Sequence, residues 1–209
     1  MSARLDFIHK WVPATRPNNN ITLLLLHGTG GNEDDLITIA SELSPGSSML
    51  SPRGKVLENG MPRFFRRFAE GIFDVEDLKY RTNELAGFIK TASSRYGFDQ
   101  NSIVGVGYSN GANIGASLLL LQPRVLRGAI LFRPMVPLVP EKQPDLTGTP
   151  VYISAGVTDP IVARSETERL VKMLREYRAN VTLNWVNTGH ALAGREVQDA
   201  KIWFDQKFA

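Results

Sequence analysis

Five consecutive residues, Gly107-Tyr108-Ser109-Asn110-Gly111, fit the pattern GxSxG, in which a strand turns sharply into a helix and displays a serine hydroxyl. Such a hydroxyl can attack a carbonyl carbon when an adjacent base takes its proton, and histidine titrates in the right range for that task. The chain has three histidines, and zero cysteines leave hydroxyl or carboxylate groups to do any covalent chemistry. In proteins that use this turn the order along the chain is Ser, then Asp or Glu, then His. His9 lies ahead of the first predicted sheet strand and His27 also precedes the serine, so His190, in the loop Asn187-Thr188-Gly189-His190-Ala191, is the candidate base. A solvent-exposed loop histidine is the bland alternative.

The carboxylate that orients the base must reach the ring nitrogen facing away from Ser109. Asp159 follows the apolar run Val151-Tyr152-Ile153-Ser154 across a short polar stretch and precedes Pro160, whereas Glu141 and Asp145 belong to the proline-rich segment before that run. An Asp-Pro pair is also a common turn or capping device. Attack on a carbonyl creates an oxyanion, which backbone N–H groups stabilise. The residue after the nucleophile, Asn110, supplies one; His27-Gly28-Thr29-Gly30-Gly31 points to Thr29 for the other, with His27 holding the loop by hydrogen bonding. A phosphate-binding reading of that loop lacks its Gly-Lys-Ser/Thr ending, and Asn110 stands where a dinucleotide fingerprint would need its third glycine.

These groups need a scaffold. Apolar runs at 21–26, 102–106, 129–132, 151–154 and 181–186 read as strands buried on both faces. Helical patterns at 34–42, 75–96, 111–121, 163–177 and 194–208 separate them. Alternation of this kind predicts an α/β fold: a mostly parallel central sheet, helices on both faces, and reactive loops at the carboxyl strand ends. A length of 209 residues without a linker-like tract predicts one domain over residues 1–209. Five of the 12 prolines fall within residues 133–150, too irregular a segment for a helical lid, so the site is expected to be open. No apolar run approaches the length of a membrane span, and MSARLDFIHKW lacks the features of a secretory signal, so a cytoplasmic protein is expected. A net charge of +3, without basic residues and aromatics interleaved in a repeated pattern, gives no support for nucleic-acid binding.

Residues 62–68, PRFFRRF, combine bulk with charge. Phe64 or Phe65 is expected to pack on a substrate, while Arg63, Arg66 and Arg67 pair at the surface with acids such as Glu70, Asp74, Glu76 and Asp77.

Taken together, HGTGGNEDDL, GYSNG, SAGVTDPIV and NTGH resemble the carboxylesterase/phospholipase family of α/β-hydrolases, which includes the acyl-protein thioesterases; the likeness is nearest to its small bacterial esterases. It runs over nearly the whole chain. It implies an α/β-hydrolase fold without a lid domain, Ser109, Asp159 and His190 as a triad, Thr29 and Asn110 as oxyanion donors, small-molecule ester or thioester substrates, and no cofactor or metal. Phe132-Arg133-Pro134-Met135-Val136-Pro137-Leu138 looks like the pocket-lining stretch of the bacterial branch, with Met135 facing the acyl or alcohol group. Asn110 in place of the usual Gln, and the acidic 32–35 segment, depart from the thioesterase branch. The expected activity is hydrolysis of short- to medium-chain carboxylic esters by a monomer or homodimer. Thioesterase or lysophospholipase activity is the rival within the class, and a non-catalytic binding protein the rival outside it.

Overall fold

The computed structural model describes residues 5–16 and 20–208. Its centre is a seven-stranded sheet of β1 (His9–Val12), β2 (Thr22–Leu26), β3 (Ser48–Pro52), β8 (Ile103–Tyr108), β9 (Gly128–Phe132), β10 (Pro150–Gly156) and β11 (Asn180–Val186), in the order β1-β3-β2-β8-β9-β10-β11. Only β1 runs antiparallel, pairing with β3 at the edge; every other ladder is parallel. The five helices are α1 (Ile37–Leu43), α2 (Val75–Tyr96), α3 (Asn110–Leu121), α4 (Arg164–Glu176) and α5 (Gly194–Phe208).

Strand periodicity sorts the apolar side chains to the two faces. Leu24, Leu26, Ala129, Leu131, Val151 and Ile153 join one core cluster with residues of α2, α3 and α4. Leu23, Leu25, Val104, Val106, Ile130 and Phe132 join the other with residues of α1 and α5. The predicted mostly parallel sheet with helices on both faces is therefore present.

The sequence reading missed β3 and five shorter strands. His9 is not ahead of the sheet but opens its edge strand, opposite Pro52. Between β3 and α2 the chain forms two small hairpins, β4 (Val56–Glu58) with β5 (Met61–Arg63) and β6 (Arg67–Ala69) with β7 (Ile72–Phe73). Residues 134–149 form neither helix nor strand, yet Val136, Leu138 and Leu146 are buried in the core. The proline-rich stretch is irregular as expected; residues 134–138 and Leu146 are packed inward, while residues 141–143, 145 and 147–148 lie exposed at the surface.

Candidate active site

Ser109 sits between β8, the middle strand of the sheet, and α3. Its φ of 53° places a non-glycine residue in the left-handed region, a conformation that costs energy and that the surroundings must hold. They do so through Ser109 N–H, which donates to the Phe132 carbonyl at 2.9 Å, and Asn113 N–H, which donates back to the Ser109 carbonyl at 3.0 Å. The flanking glycines are sterically required. A Cβ at Gly107 would come within 2.7 Å of the Gly111 carbonyl oxygen, and one at Gly111 would collide with the Leu26 carbonyl.

The ends of β8, β10 and β11 bring the predicted polar groups together. His190, beyond β11, has Nε2 3.0 Å from Ser109 Oγ, and its Nδ1 lies 2.9 Å from Asp159 Oδ2, beyond β10. The Asp159 side chain is 1% exposed. Its other oxygen accepts from Ile161 N–H at 2.8 Å and Val162 N–H at 3.1 Å, so the turn that contains Pro160 fixes the carboxylate. With Nδ1–H donated to the carboxylate, Nε2 is left to accept the serine proton. Tyr108 lies against the His190 ring and donates its hydroxyl to the His190 carbonyl at 3.1 Å. Burial is the largest influence on Tyr108 and pushes its hydroxyl pKa upward, so the group stays a donor.

Thr29 lies on the loop after β2, beside β8 in the sheet. The adjoining N–H groups are occupied: Gly30 donates to Pro62 and Gly31 to Gly28. Thr29 N–H makes no hydrogen bond among the described residues, and Asn110, first in α3, has one of the amide donors a helix leaves unpaired. His27 has the structural place expected of it, with Nδ1 donating to the Gly28 carbonyl at 2.7 Å and Nε2 accepting from Gly54 N–H at 2.9 Å. Burial, the dominant effect, lowers its pKa and keeps it neutral for both bonds. Two of the three acids that follow are held in ion pairs, Glu33 with Arg53 and Asp34 with Lys10.

Two expectations for the 62–68 stretch are corrected. The rings of Phe64 and Phe65 belong to the core, with Phe64 tilted on His27 and Phe65 edge-on to Phe73. At 0% exposure Phe65 has no surface to offer a substrate; the exposed aromatic ring is Phe68, at 75%. Arg66 does pair at the surface with Asp74, and Arg67 pairs with Glu58 instead of the acids expected. Arg63, however, is buried, donating to Thr29 Oγ1 at 2.6 Å and to the Phe65 carbonyl at 3.2 Å. The stretch thus buttresses the Thr29 loop, and Asn110 Oδ1 ties it to the serine turn by accepting from Phe64 N–H at 2.8 Å. Met135 is nearly buried, its N–H donated to Asn113 and its methyl beneath the β6–β7 turn at Gly71.

Exposed apolar side chains stand on the two hairpins and on the loops after β9 and β10: Leu57, Met61, Phe68, Ile72, Val139 and Val157. Met61 lies beside Gly30 of the Thr29 loop. Among the described residues no group of three or more His, Asp or Glu side chains is arranged to hold a metal ion, and no helix is long and apolar enough to cross a membrane.

The residues that sequence reasoning missed are Arg133 and Glu196. Both side chains are 0% exposed, and they form a two-pronged ion pair of 2.6 Å contacts beside the His190 loop. Burial acts to raise the Glu196 pKa, but its bonds from Arg133, Ser154 and Ala193 outweigh that and hold it below the usual value. An arginine inside an apolar, proline-rich run was the available signal.

A hydroxyl, an imidazole and a buried carboxylate in one line, beside two amide donors, form an arrangement competent for acyl transfer. Known proteins share the framework. The profile of the family described as phospholipase/carboxylesterase matches residues 9–206. A Bacillus subtilis (strain 168) protein named as the hydrolase MhqD is 48% identical over 184 residues, 88% of this chain and 92% of the relative. A Bacillus cereus carboxylesterase superposes with a TM-score of 0.95 at 50% identity, over 97% of this chain and 95% of that one. YahD, solved with malic acid, superposes with a TM-score of 0.91 at 28% identity, over 96% and 99% of the two chains. The chain belongs to the phospholipase/carboxylesterase family of α/β-hydrolases.

Proposed function

We propose that this protein is a serine carboxylesterase that hydrolyses short- to medium-chain esters through an acyl-enzyme. Ser109 Oγ attacks the ester carbonyl as His190 Nε2 takes its proton, and Asp159 holds the imidazole and stabilises the imidazolium. The oxyanion is received by the N–H groups of Thr29 and Asn110. His190 then protonates the departing alcohol, leaving an acyl group on Ser109, and in the second half activates the water that releases the acid. The carrying observation is the unbroken line from Ser109 Oγ to His190 Nε2 at 3.0 Å and from His190 Nδ1 to Asp159 at 2.9 Å. The apolar rim holds the non-reacting part of the ester, with Met135 as wall beneath it. An exposed rim of this kind favours modest chains. The name of the Bacillus cereus structure is in keeping with this chemistry.

A p-nitrophenyl ester should give a burst of one nitrophenolate per chain, and a serine-directed organophosphonate should add its mass at the peptide that holds Ser109. Ser109→Ala should lower kcat by on the order of 10⁴–10⁶. Turnover undiminished in that variant would remove the proposal.

A further inference from the structure

Arg133 stands at the end of β9 with a φ of 58°, a conformation an arginine adopts only under constraint. Its backbone N–H donates to the Ser154 carbonyl at 2.9 Å, and the preceding carbonyl, Phe132, receives the Ser109 N–H. From this point the guanidinium reaches into the loop that bears His190. Nε donates to the Gly189 carbonyl at 3.0 Å, and Nη2 to Thr188 Oγ1 at 2.9 Å and to the Ala191 carbonyl at 3.0 Å. Glu196, paired with the same guanidinium, accepts from Ala193 N–H at 3.0 Å and from Ser154 Oγ at 2.5 Å. The loop is therefore held on both sides of His190 by one buried ion pair.

We infer that Arg133 and Glu196 are positioning residues for His190, setting its distance from Asp159 and Ser109; the inference rests on the esterase reading. Arg133 Nε lies 3.9 Å from Asp159 Oδ2, the oxygen that serves His190. The Gly189 carbonyl takes the Nε–H while Glu196 holds Nη1 and Nη2, which together keep the guanidinium from competing with His190 for that oxygen. A buried ion pair is weak as a stabilising device, because well-packed apolar residues of similar volume do as well or better. A positional role accounts for its retention here, since apolar replacements cannot donate to the oxygens of residues 188, 189 and 191.

The test separates stability from positioning. The double variant Arg133→Met/Glu196→Met should keep a Tm near or above that of the parent. Its kcat on p-nitrophenyl acetate should fall by about 30- to 100-fold with KM within about threefold, the scale of a misplaced catalytic group. Arg133→Lys keeps the charge for Glu196 but loses the planar fork, and kcat should fall at least about tenfold. If the double variant does not fold, the lysine variant decides the matter. Thr188→Val, at a half-buried position, removes a single acceptor and should cost about threefold or more in kcat. The parent should show a low-field NMR resonance for the His190 Nδ1 proton, and this should be lost or broadened in the Arg133 variants.

A folded Arg133 variant with kcat within twofold of the parent and the resonance intact overturns the inference and leaves the esterase reading standing. Undiminished turnover in Ser109→Ala overturns the esterase reading, while the resonance still reports whether Arg133 places His190.

Discussion

At the residue scale, the serine turn concentrates strain where backbone elements come closest. Ser109 holds its left-handed φ because α3 begins against the end of β2, with Gly111 so near the Leu26 carbonyl that no side chain fits. Gly111→Ala forces the helix start away from the sheet and is expected to destabilise the protein by at least about 2 kcal/mol. For a domain of this size that corresponds to a fall in Tm of roughly 4–8 °C by calorimetry, and an unchanged Tm would contradict the packing described. The triad candidates could be read from the chain because GxSxG names the serine and only one histidine follows it. Arg133 could not, because its partners are set by folding: Thr188, Gly189 and Glu196 lie 55, 56 and 63 positions away. Phe64, Phe65 and Phe68 were equally illegible, since composition does not tell which of three rings in seven residues turns inward.

At the scale of elements, each functional group hangs from a strand end. The loops after β2, β8, β9, β10 and β11, neighbours in that order, carry Thr29, Ser109, Arg133, Asp159 and His190. The long apolar strands were legible because burial on both faces leaves a continuous run. Strands of two to four residues such as β1 and β4–β7 leave no such trace and are fixed by their partners. The β2 loop also carries a pH dependence. His27 is held neutral between Gly28 and Gly54, and burial puts its folded pKa below the ordinary histidine value of 6.5. The unfolded chain thus binds the proton more readily, and the stability from this site, complete above about pH 6.5, is lost as pH falls from there toward the lowered folded pKa. Urea unfolding measured from pH 7.5 to 5 should show the decline. It should be shallower in His27→Asn, a variant less stable at pH 7.5, and equal slopes for the two proteins would count against this account.

At the scale of the whole molecule, the two faces of the sheet are sealed by helices, and exposed apolar side chains stand on the hairpins and loops as well as at Ile8, Tyr80 and Ile202. Leu57, Met61, Phe68, Ile72, Val139 and Val157 come from two hairpins and two strand-end loops far apart in sequence. Scattered exposed apolar residues need no explanation, but a set gathered around a site suits an apolar ligand. The apolar rim also explains the reach of the esterase reading toward substrate: an acyl chain laid on a rim buries about half its surface. Each CH₂ then contributes about 0.4 kcal/mol, half the value for full burial, or roughly twofold in kcat/KM. Between acetyl and hexanoyl p-nitrophenyl esters the four added CH₂ groups should raise kcat/KM by about tenfold to twentyfold, with a plateau once the chain passes the rim. Phe68→Ser removes the most exposed of these side chains, 75% accessible, and should reduce the hexanoyl-to-acetyl ratio severalfold without lowering Tm. A ratio that stays near one in the parent, or stays unchanged in the variant, would mean that the rim does not hold the acyl chain.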